Sequence, residues 1–331
     1  MTVRGYYAEP VAPGRYPAYI TYQGYDSNPE TTQYVPDGDS HPDRIEFVLS
    51  TRGQGINNRG DYKEENAYYG DWFMFNFGDR DSYYYRGAYM DAVRAFDFVA
   101  SRQNVDKANI FGEGHSQGGA LTIAAAALTS MRGNGTFNSI APAIPFMGDF
   151  PDYFKIGQWP SYQAYNWLNN RSVVSTEEEM YEFLSYYDTK NLAPYISSSY
   201  ITAVGLQDET CPPHTNIAPY TNVNTTDKKL VVNPMLGHAA HADWNRDIDN
   251  FFAARMKGET TSIDTLTCSD ISEMVETVGN RILIKGEPCA ITIYNLSGMT
   301  VYSGTAGCVT IDTPGLYILR LGNQAMKVEI R

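Results

Sequence analysis

The chain has 331 residues and a formal net charge of −13, a length that allows one large α/β domain and a small second domain. Its acidic balance argues against nucleic acid and anionic membranes as partners. The sequence contains no run of about 18 apolar residues, so no membrane-spanning segment is expected. Residues 1–5 lack the apolar region of a signal peptide, so a secretion signal would have been removed or would lie upstream.

The first 257 residues alternate between strand and helix patterns. Such alternation predicts a mostly parallel sheet with helices on both faces. Apolar runs predict strands at 17–23, 45–50, 139–146, 200–205 and 228–233, and a further short strand ends at a Gly-x-Ser-x-Gly motif. Helical patterns cover residues 89–100, 120–128 and 242–256.

The Gly-x-Ser-x-Gly motif around Ser116 is the most informative stretch of the chain. It lies between an apolar strand and a helix of small residues, which is the context of a serine nucleophile. The turn is so tight that a Cβ at Gly114 or Gly118 would clash. Such a turn raises the Ser116 hydroxyl above the sheet and aims the backbone N–H of Gln117 at a developing oxyanion.

A serine nucleophile requires a histidine base and an acid that orients the histidine. In this class of fold the acid and then the histidine follow the serine along the chain. His238 follows the last predicted strand of the sheet, and Asp208 follows the strand before it. We therefore predict Ser116, Asp208 and His238 as a catalytic triad, with His241 as the alternative base and Glu209 as the alternative acid.

Two insertions, residues 57–85 and 149–192, interrupt the alternation. Insertions after the carboxyl ends of strands tend to form the mouth of a site, so both are expected there. Residues 258–270 are expected to form a linker. Short strands separated by turn sequences follow and predict a small all-β sandwich. The predicted domains are therefore residues 1–257 and 271–331.

The remaining histidines and the cysteines give no sign of a bound metal. His41, His115 and His214 are interpreted as solvated or structural residues. The four cysteines form no Cys-x-x-Cys pair, so we expect no zinc site, and we predict no cofactor. Cys289 and Cys308 both lie in the predicted sandwich, where a disulfide suited to an exported protein and a pair of buried thiols are both compatible with the sequence.

Three motifs together resemble the acetyl xylan esterase/cephalosporin C deacetylase family of carbohydrate esterases, which has the α/β-hydrolase fold. Residues 52–55 are similar to the Arg-Gly-Gln signature of the family, and residues 114–119 are similar to its Gly-x-Ser-Gln-Gly elbow. Residues 205–213, followed by His238, are similar to its Asp-x-x-Cys-Pro-Pro and His-Glu segments. The resemblance covers residues 3–257.

The resemblance assigns a role to each matching residue of this chain. It implies that Ser116 is the nucleophile, His238 the base and Asp208 the acid. It also implies that Tyr25 and Gln117 supply the oxyanion hole. Arg52 and Gln54 would be structural supports near the site. The family further implies a homo-oligomer, a hexamer.

The chain departs from the family pattern in three places. It begins at what resembles the third strand of the family sheet, so N-terminal strands are expected to be missing. Ala239 follows His238, where the family usually has glutamate. Residues 281–331 have no counterpart in the family and resemble the C-terminal sorting domains of proteins exported by type IX secretion in Bacteroidetes.

The sequence therefore predicts a secreted or cell-surface serine esterase that removes acetyl groups from carbohydrate, namely xylan or xylo-oligosaccharides. One alternative is a broader acyl or peptide hydrolase on the same fold, because fold does not determine substrate. Another alternative is a carbohydrate-binding protein that has lost catalysis.

Overall fold

The computed structural model describes residues 2–25, 35–36, 38–39, 41–63, 71–156, 159–170, 176–256, 274–286, 288–295, 300–321 and 324–330. The chain divides into two compact units, Met1–Thr260 and Thr261–Arg331. The linker predicted at residues 258–270 lies outside the described residues. No helix in the described part of the chain has the length and apolar character needed to cross a membrane.

A seven-stranded sheet forms the centre of the first unit. Its strands are Gly5–Ala8 (β1), Tyr16–Tyr22 (β2), Ile45–Leu49 (β3), Val105–His115 (β4), Ser139–Ala143 (β5), Ser199–Gly205 (β6) and Lys228–Asn233 (β7). They pair in the order β1-β3-β2-β4-β5-β6-β7. β1 is antiparallel to β3, and all the other pairs are parallel.

Helices cover both faces of this sheet, as the alternating pattern predicts. They are Tyr84–Ala100 (α1), Gln117–Arg132 (α2), Phe150–Ile156 (α3), Ser161–Asn170 (α4), Glu177–Ser185 (α5), Thr189–Leu192 (α6), His214–Asn222 (α7) and Trp244–Met256 (α8). The buried residues of α1 and α2 belong to one apolar cluster, and those of α8 belong to a second. In the second cluster the rings of Phe111 and Phe252 stack with centroids 4.6 Å apart.

One strand that the sequence did not predict, and the bounds of two predicted elements, differ from the prediction for local physical reasons. β1 is only four residues long, too short for an alternating pattern to reveal it. α1 begins at Tyr84, five residues early, because Tyr84 and Tyr85 are fully buried although tyrosine is not a strongly apolar residue. β5 ends at Ala143 because the next residue, Ile144, has a φ of 40° and leaves the extended conformation.

The register of the sheet brings the segments that follow four strands to one edge. Tyr22 of β2 lies opposite both Leu49 of β3 and Gly114 of β4. Gly205 of β6 lies opposite Asn233 of β7. Because these strands are parallel, the residues after β2, β4, β6 and β7 emerge together at the carboxyl edge, where open α/β sheets place their sites.

The second unit contains two small antiparallel sheets. Their strands are Val275–Val278 (β8), Arg281–Ile284 (β9), Cys289–Asn295 (β10), Thr300–Ala306 (β11), Cys308–Thr310 (β12), Gly315–Leu321 (β13) and Gln324–Ile330 (β14). They pair in the orders β11-β10-β13-β14 and β12-β9-β8, and residues of both sheets share one apolar cluster. Cys289 and Cys308 lie in different sheets as half-buried free thiols, so they form neither the disulfide nor the pair of buried thiols.

Candidate active site

Ser116 lies in a strained turn between β4 and α2. Its φ of 56° is rare for a residue with a side chain. A Cβ at Gly118 would lie 2.0 Å from the carbonyl oxygen of Tyr22, and a Cβ at Gly114 would lie 2.5 Å from the backbone of Gly118. Only glycine fits at both positions, which is the reason for the spacing of the motif.

The structure brings Ser116, His238 and Asp208 together in one hydrogen-bonded chain. Nε2 of His238 lies 3.0 Å from Oγ of Ser116, and Nδ1 lies 2.8 Å from Oδ2 of Asp208. The Asp208 carboxylate is fully buried, whereas the His238 side chain is 29% exposed. The other carboxylate oxygen accepts hydrogen bonds from the N–H groups of Thr210 and Cys211, at 2.9 and 2.8 Å, which fixes the acid in one orientation.

The alternative base and the alternative acid do not join this chain. Nε2 of His241 lies 3.1 Å from a carboxylate oxygen of Asp247. The Glu209 side chain is exposed to solvent. Of the predicted candidates, Asp208 and His238 are therefore the pair that meets the serine.

Cys211 is a second potential nucleophile near Ser116. Burial raises the pKa of the Cys211 thiol well above its usual value, the nearby charge of Asp208 raises it further, and a hydrogen bond with the Ser116 side chain opposes the shift. The group therefore remains a neutral thiol at ordinary pH. Since the thiolate is the reactive form, Cys211 is not expected to replace the serine.

Gln117 is the first residue of α2, so its N–H has no carbonyl partner within the helix. Its side chain is held by two glutamine-to-glutamine hydrogen bonds with Gln54. Nε2 of Gln54 donates to Oε1 of Gln117 at 3.1 Å, and Nε2 of Gln117 donates to Oε1 of Gln54 at 3.2 Å. The Tyr85 hydroxyl also donates to Oε1 of Gln117. These contacts fix the residue whose backbone is the predicted oxyanion donor.

The Tyr25 hydroxyl is already engaged away from the serine. It accepts a hydrogen bond from the N–H of Trp72 at 2.9 Å and donates to the Asp71 carboxylate at 3.5 Å. The Tyr25 ring packs edge-on against Trp159, with centroids 5.8 Å apart. The main-chain N–H, not the phenol, is therefore the group through which Tyr25 would contact an oxyanion.

Arg52 fastens the loop after β3 to α1. It makes two hydrogen bonds to the Asp91 carboxylate, at 2.6 and 2.7 Å. A Cβ at Gly87 would lie 1.9 Å from the guanidinium group, so the close approach of the arginine depends on glycine in α1. This contact agrees with the supporting role that the resemblance implies for Arg52.

Sequence reasoning missed the buried acid at the mouth of the site. Asp71 accepts hydrogen bonds from the indole N–H of Trp159 at 2.9 Å and from the N–H of Phe73 at 2.8 Å. Burial raises the pKa of the Asp71 carboxyl, and these hydrogen bonds oppose the shift. Asp71 and Trp159 lie in the two insertions predicted to form the mouth, but no motif distinguishes them from their neighbours.

Among the residues that the structure describes, one other group of side chains has the composition of a metal site. Atoms of Asp149, Asp152 and His214 lie within 4.8 Å of one another. However, Lys190 pairs with Asp149, and Lys155 pairs with Asp152 at 2.8 Å. The two ammonium groups balance both carboxylates, so the cluster is held together by ion pairs.

Comparison with known proteins was made at the level of sequence and of structure. The acetyl xylan esterase family profile matches residues 1–256. The chain is 30% identical over 167 residues to acetyl esterase Axe7A of Xylanibacter ruminicola, a match that covers 50% of this chain and 36% of that protein. The chain thus spans about a third of the length of that curated relative.

Two solved acetyl xylan esterases have the same fold. The enzyme from Paenibacillus sp. R4 superposes with a TM-score of 0.67 and 30% identity, over 76% of this chain and 79% of that one. The enzyme from Thermoanaerobacterium sp. JW/SL YS485 superposes with a TM-score of 0.64 and 23% identity, over 76% and 78% of the two chains. The predicted α/β-hydrolase fold is thereby confirmed, and the predicted class, a carboxylic ester hydrolase, agrees with these relatives. The chain therefore belongs to the acetyl xylan esterase family.

Proposed function

We propose that this protein is a serine esterase that removes acetyl groups from xylan or xylo-oligosaccharides through a covalent acetyl-enzyme. The observation that carries the proposal is the continuous chain Ser116–His238–Asp208, with contacts of 3.0 and 2.8 Å that end on a fully buried carboxylate. A buried acid holds the imidazole so that Nε2 faces the serine hydroxyl. The acetyl group and the xylan substrate in this proposal rest on the family to which the chain belongs.

In the first half of the reaction, Oγ of Ser116 attacks the acetyl carbonyl carbon while Nε2 of His238 takes the hydroxyl proton. The carbonyl electron pair moves onto oxygen, and the N–H groups of Gln117 and Tyr25 stabilise this oxyanion. Asp208 stabilises the imidazolium through Nδ1–H. When the tetrahedral intermediate collapses, the bond between the acetyl carbon and the sugar oxygen breaks, and His238 gives its proton to that oxygen, which leaves as a hydroxyl group.

In the second half, a water molecule attacks the acetyl-enzyme while His238 removes one of its protons. Collapse of the second intermediate releases acetate, and the proton returns to Oγ of Ser116. The carbonyl oxygen occupies the same oxyanion hole in both halves, so a single set of donors serves both steps.

A group of aromatic rings beside the serine supports the preference for a short acyl chain. Phe146 donates its N–H to the carbonyl oxygen of Ser116 at 3.0 Å. Its ring stacks on Trp159 at 5.3 Å, and Trp159 contacts Tyr25. Asp71 anchors the Trp159 indole. We propose that rings fixed in this way limit the room for a longer acyl group.

The direct test is hydrolysis of p-nitrophenyl acetate by the wild type and by Ser116→Ala. We expect turnover in the wild type and a loss of several orders of magnitude in the variant, with the fold preserved. Ser130→Ala is the matched control, because Ser130 lies on α2 but bonds Thr136 and Ser197, away from His238. Turnover retained in Ser116→Ala would contradict the mechanism, and no turnover by the wild type would favour a binding protein.

We also propose that the protein is exported, with its C-terminal unit acting as the sorting domain. Support comes from the compact antiparallel unit after residue 260 and from its resemblance to such domains. Part of the resembling segment, residues 296–299, lies outside the described residues. Measuring the mass of the exported protein tests this proposal, because cleavage of the unit during export supports a sorting role and a retained unit supports a binding module.

A further inference from the structure

A cavity of about 400 Å³ opens beside the candidate active site, within the range of roughly 300–1,000 Å³ that is typical of small-molecule sites. Its floor is formed by β2, β3 and β4, and its far wall is the first half of α8. The lining side chains include Tyr19, Thr21, Arg44, Glu113 and Asn245. The reaction proposed above does not use any of these residues.

The cavity reaches the nucleophile through His115. This histidine lines the cavity and directly precedes Ser116. It lies close enough to His238 that the charge of that residue, together with burial as the larger cause, lowers the pKa of His115. The segment 23–24, which precedes the predicted oxyanion donor Tyr25, lines the same cavity. A ligand in the cavity would therefore adjoin a group bound at Ser116.

The charges in the cavity disfavour an anionic ligand. Arg44 is the guanidinium group of the lining, and it already makes hydrogen bonds to Glu46 at 3.0 Å and to Asp249 at 3.0 Å. Its remaining face lies over the Tyr19 ring, 4.3 Å from the centroid. Glu113 adds a third carboxyl group to the lining. A ligand carboxylate or phosphate would lie beside three carboxyl groups and a guanidinium group that is already paired with two of them.

Glu113 offers hydrogen-bonding capacity to a neutral ligand. Among the described residues, its one side-chain hydrogen bond comes from the Thr21 hydroxyl, which donates to Oε1 at 2.8 Å. Oε2 is left for a further donor. Burial raises the pKa of this carboxyl, and the Thr21 hydrogen bond and Arg44 oppose the shift. Glu113 is half-buried and lines the cavity, so a hydroxylated ligand in the cavity could donate a hydrogen bond to this second oxygen.

We propose that this cavity is a sugar subsite that binds the neutral, hydroxylated pyranose unit next to the acetylated one, with Glu113 accepting hydrogen bonds from its hydroxyl groups. The inference rests on the proposed function, because it places the acetylated unit at Ser116. The imidazole ring of His115, which lines the cavity, would lie between the two units. The subsite would favour an oligosaccharide over a simple acetyl ester.

The test uses unacetylated xylotriose as a competitive inhibitor of p-nitrophenyl acetate hydrolysis by the full chain. We expect inhibition of the wild type and a roughly tenfold higher inhibition constant for Glu113→Gln, the usual size for loss of one hydrogen bond. Glu209→Gln is the control, since it makes the same change at an exposed acid outside the cavity lining. Its inhibition constant should equal that of the wild type.

A second variant tests the cavity without changing Glu113, so that a folding defect in Glu113→Gln cannot account for the result. Asn245 is exposed on α8 and lines the cavity, so Asn245→Trp should fill the cavity without disturbing the core and should also raise the inhibition constant. Equal inhibition of wild type, Glu113→Gln and Asn245→Trp would overturn the subsite, as would stronger inhibition by glucuronate than by xylotriose. The proposed esterase function would survive that outcome, because it depends only on turnover that Ser116→Ala abolishes.

Discussion

The side-chain amides of Gln54 and Gln117 donate to each other, at 3.1 and 3.2 Å, across 63 residues of sequence. Both side chains are buried. The pair connects the Arg-Gly-Gln segment after β3 to the first residue of α2, which follows the serine. Tyr84 and Thr51 complete the network by bonding Nε2 of Gln54 and Nε2 of Gln117, respectively. This network connects the Arg-Gly-Gln segment to the residue whose backbone N–H is the proposed oxyanion donor.

Removing this pair should affect both stability and turnover. Gln54→Ala leaves both polar atoms of the Gln117 side chain with one partner fewer in a buried environment, which should lower the free energy of unfolding by about 1–3 kcal/mol. Because the N–H of Gln117 would be less well positioned, we expect kcat to fall more than KM rises. Urea denaturation and p-nitrophenyl acetate kinetics measure the two effects. Gln103→Ala, at an exposed position, is the control, and equal losses in both variants would contradict this role.

Asp208 and Glu209 are adjacent carboxylates that should differ sharply in function. Asp208→Asn keeps the shape of the side chain but removes the charge that stabilises the imidazolium, so kcat should fall by about 10⁴-fold. Glu209→Gln should stay within about twofold of the wild type, because its exposed side chain does not contact His238. Kinetics of both variants with p-nitrophenyl acetate make the comparison. A large loss in Glu209→Gln with little loss in Asp208→Asn would show that Glu209, and not Asp208, is the acid.

A similar pair of substitutions distinguishes the role of His238 in catalysis from that of His241. His238→Ala removes the group 3.0 Å from the serine hydroxyl and should lower kcat by several orders of magnitude. His241→Ala removes a contact with Asp247 at 3.1 Å, and its effect should be a modest loss of stability, about 0–1 kcal/mol. Thermal denaturation and turnover of both variants test this prediction. Activity that survives in His238→Ala would exclude it as the base.

The sequence could predict the parts of the site that depend on chain order and local geometry. The Gly-x-Ser-x-Gly spacing indicates a tight turn, in which a Cβ at Gly118 would lie 2.0 Å from the carbonyl oxygen of Tyr22. Parallel strands bring their carboxyl ends to one edge, so Asp208 and His238 could be paired with Ser116 although they lie 92 and 122 residues away. Both inferences need only the order of the strands.

Other features depend on long-range packing that has no periodic signature. Asp71 contacts Trp159 across 88 residues, and no motif distinguishes either residue from its neighbours in the two insertions. The cavity at Glu113 arises because residues of β2, β3, β4 and α8 leave a space between them, which no single segment encodes. The early start of α1 also depends on burial of Tyr84 and Tyr85 by neighbouring rings. Such contacts require the assembled fold.

Trp159 should restrict the length of the acyl chain. Trp159→Ala removes the ring that stacks on Phe146 and packs against Tyr25, and the space left would admit longer chains. The ratio of kcat/KM for p-nitrophenyl butyrate to that for the acetate should therefore rise by roughly tenfold, the effect of a few kcal/mol or less in an apolar pocket. Tyr162→Ala, which changes an exposed ring, is the control. An unchanged ratio would show that other residues set acyl length.

Glu113 should make stability depend on pH in a defined direction. Burial raises its folded pKa above the ordinary value of 4.5, and Asp249 and Glu46 act in the same direction, whereas Thr21 and Arg44 oppose it. Above pH 4.5 the unfolded chain releases this proton while the folded protein still holds it, so this group destabilises the fold increasingly as pH rises through the folded pKa. Glutamine does not titrate, so Glu113→Gln should gain free energy of unfolding relative to wild type as the pH rises from 4.5 through the folded pKa of the carboxyl.

Urea denaturation of wild type and Glu113→Gln across this pH range measures the gain. The Thr21 hydroxyl can still donate to the glutamine carbonyl oxygen, so the substitution removes the charge and keeps the hydrogen bond. Glu209→Gln provides the baseline, because it makes the same change at an exposed acid outside the cavity lining. A Glu113→Gln difference that stayed constant as pH rose would contradict a raised pKa, and one that shrank would show that the fold stabilises the carboxyl as an anion and lowers its pKa.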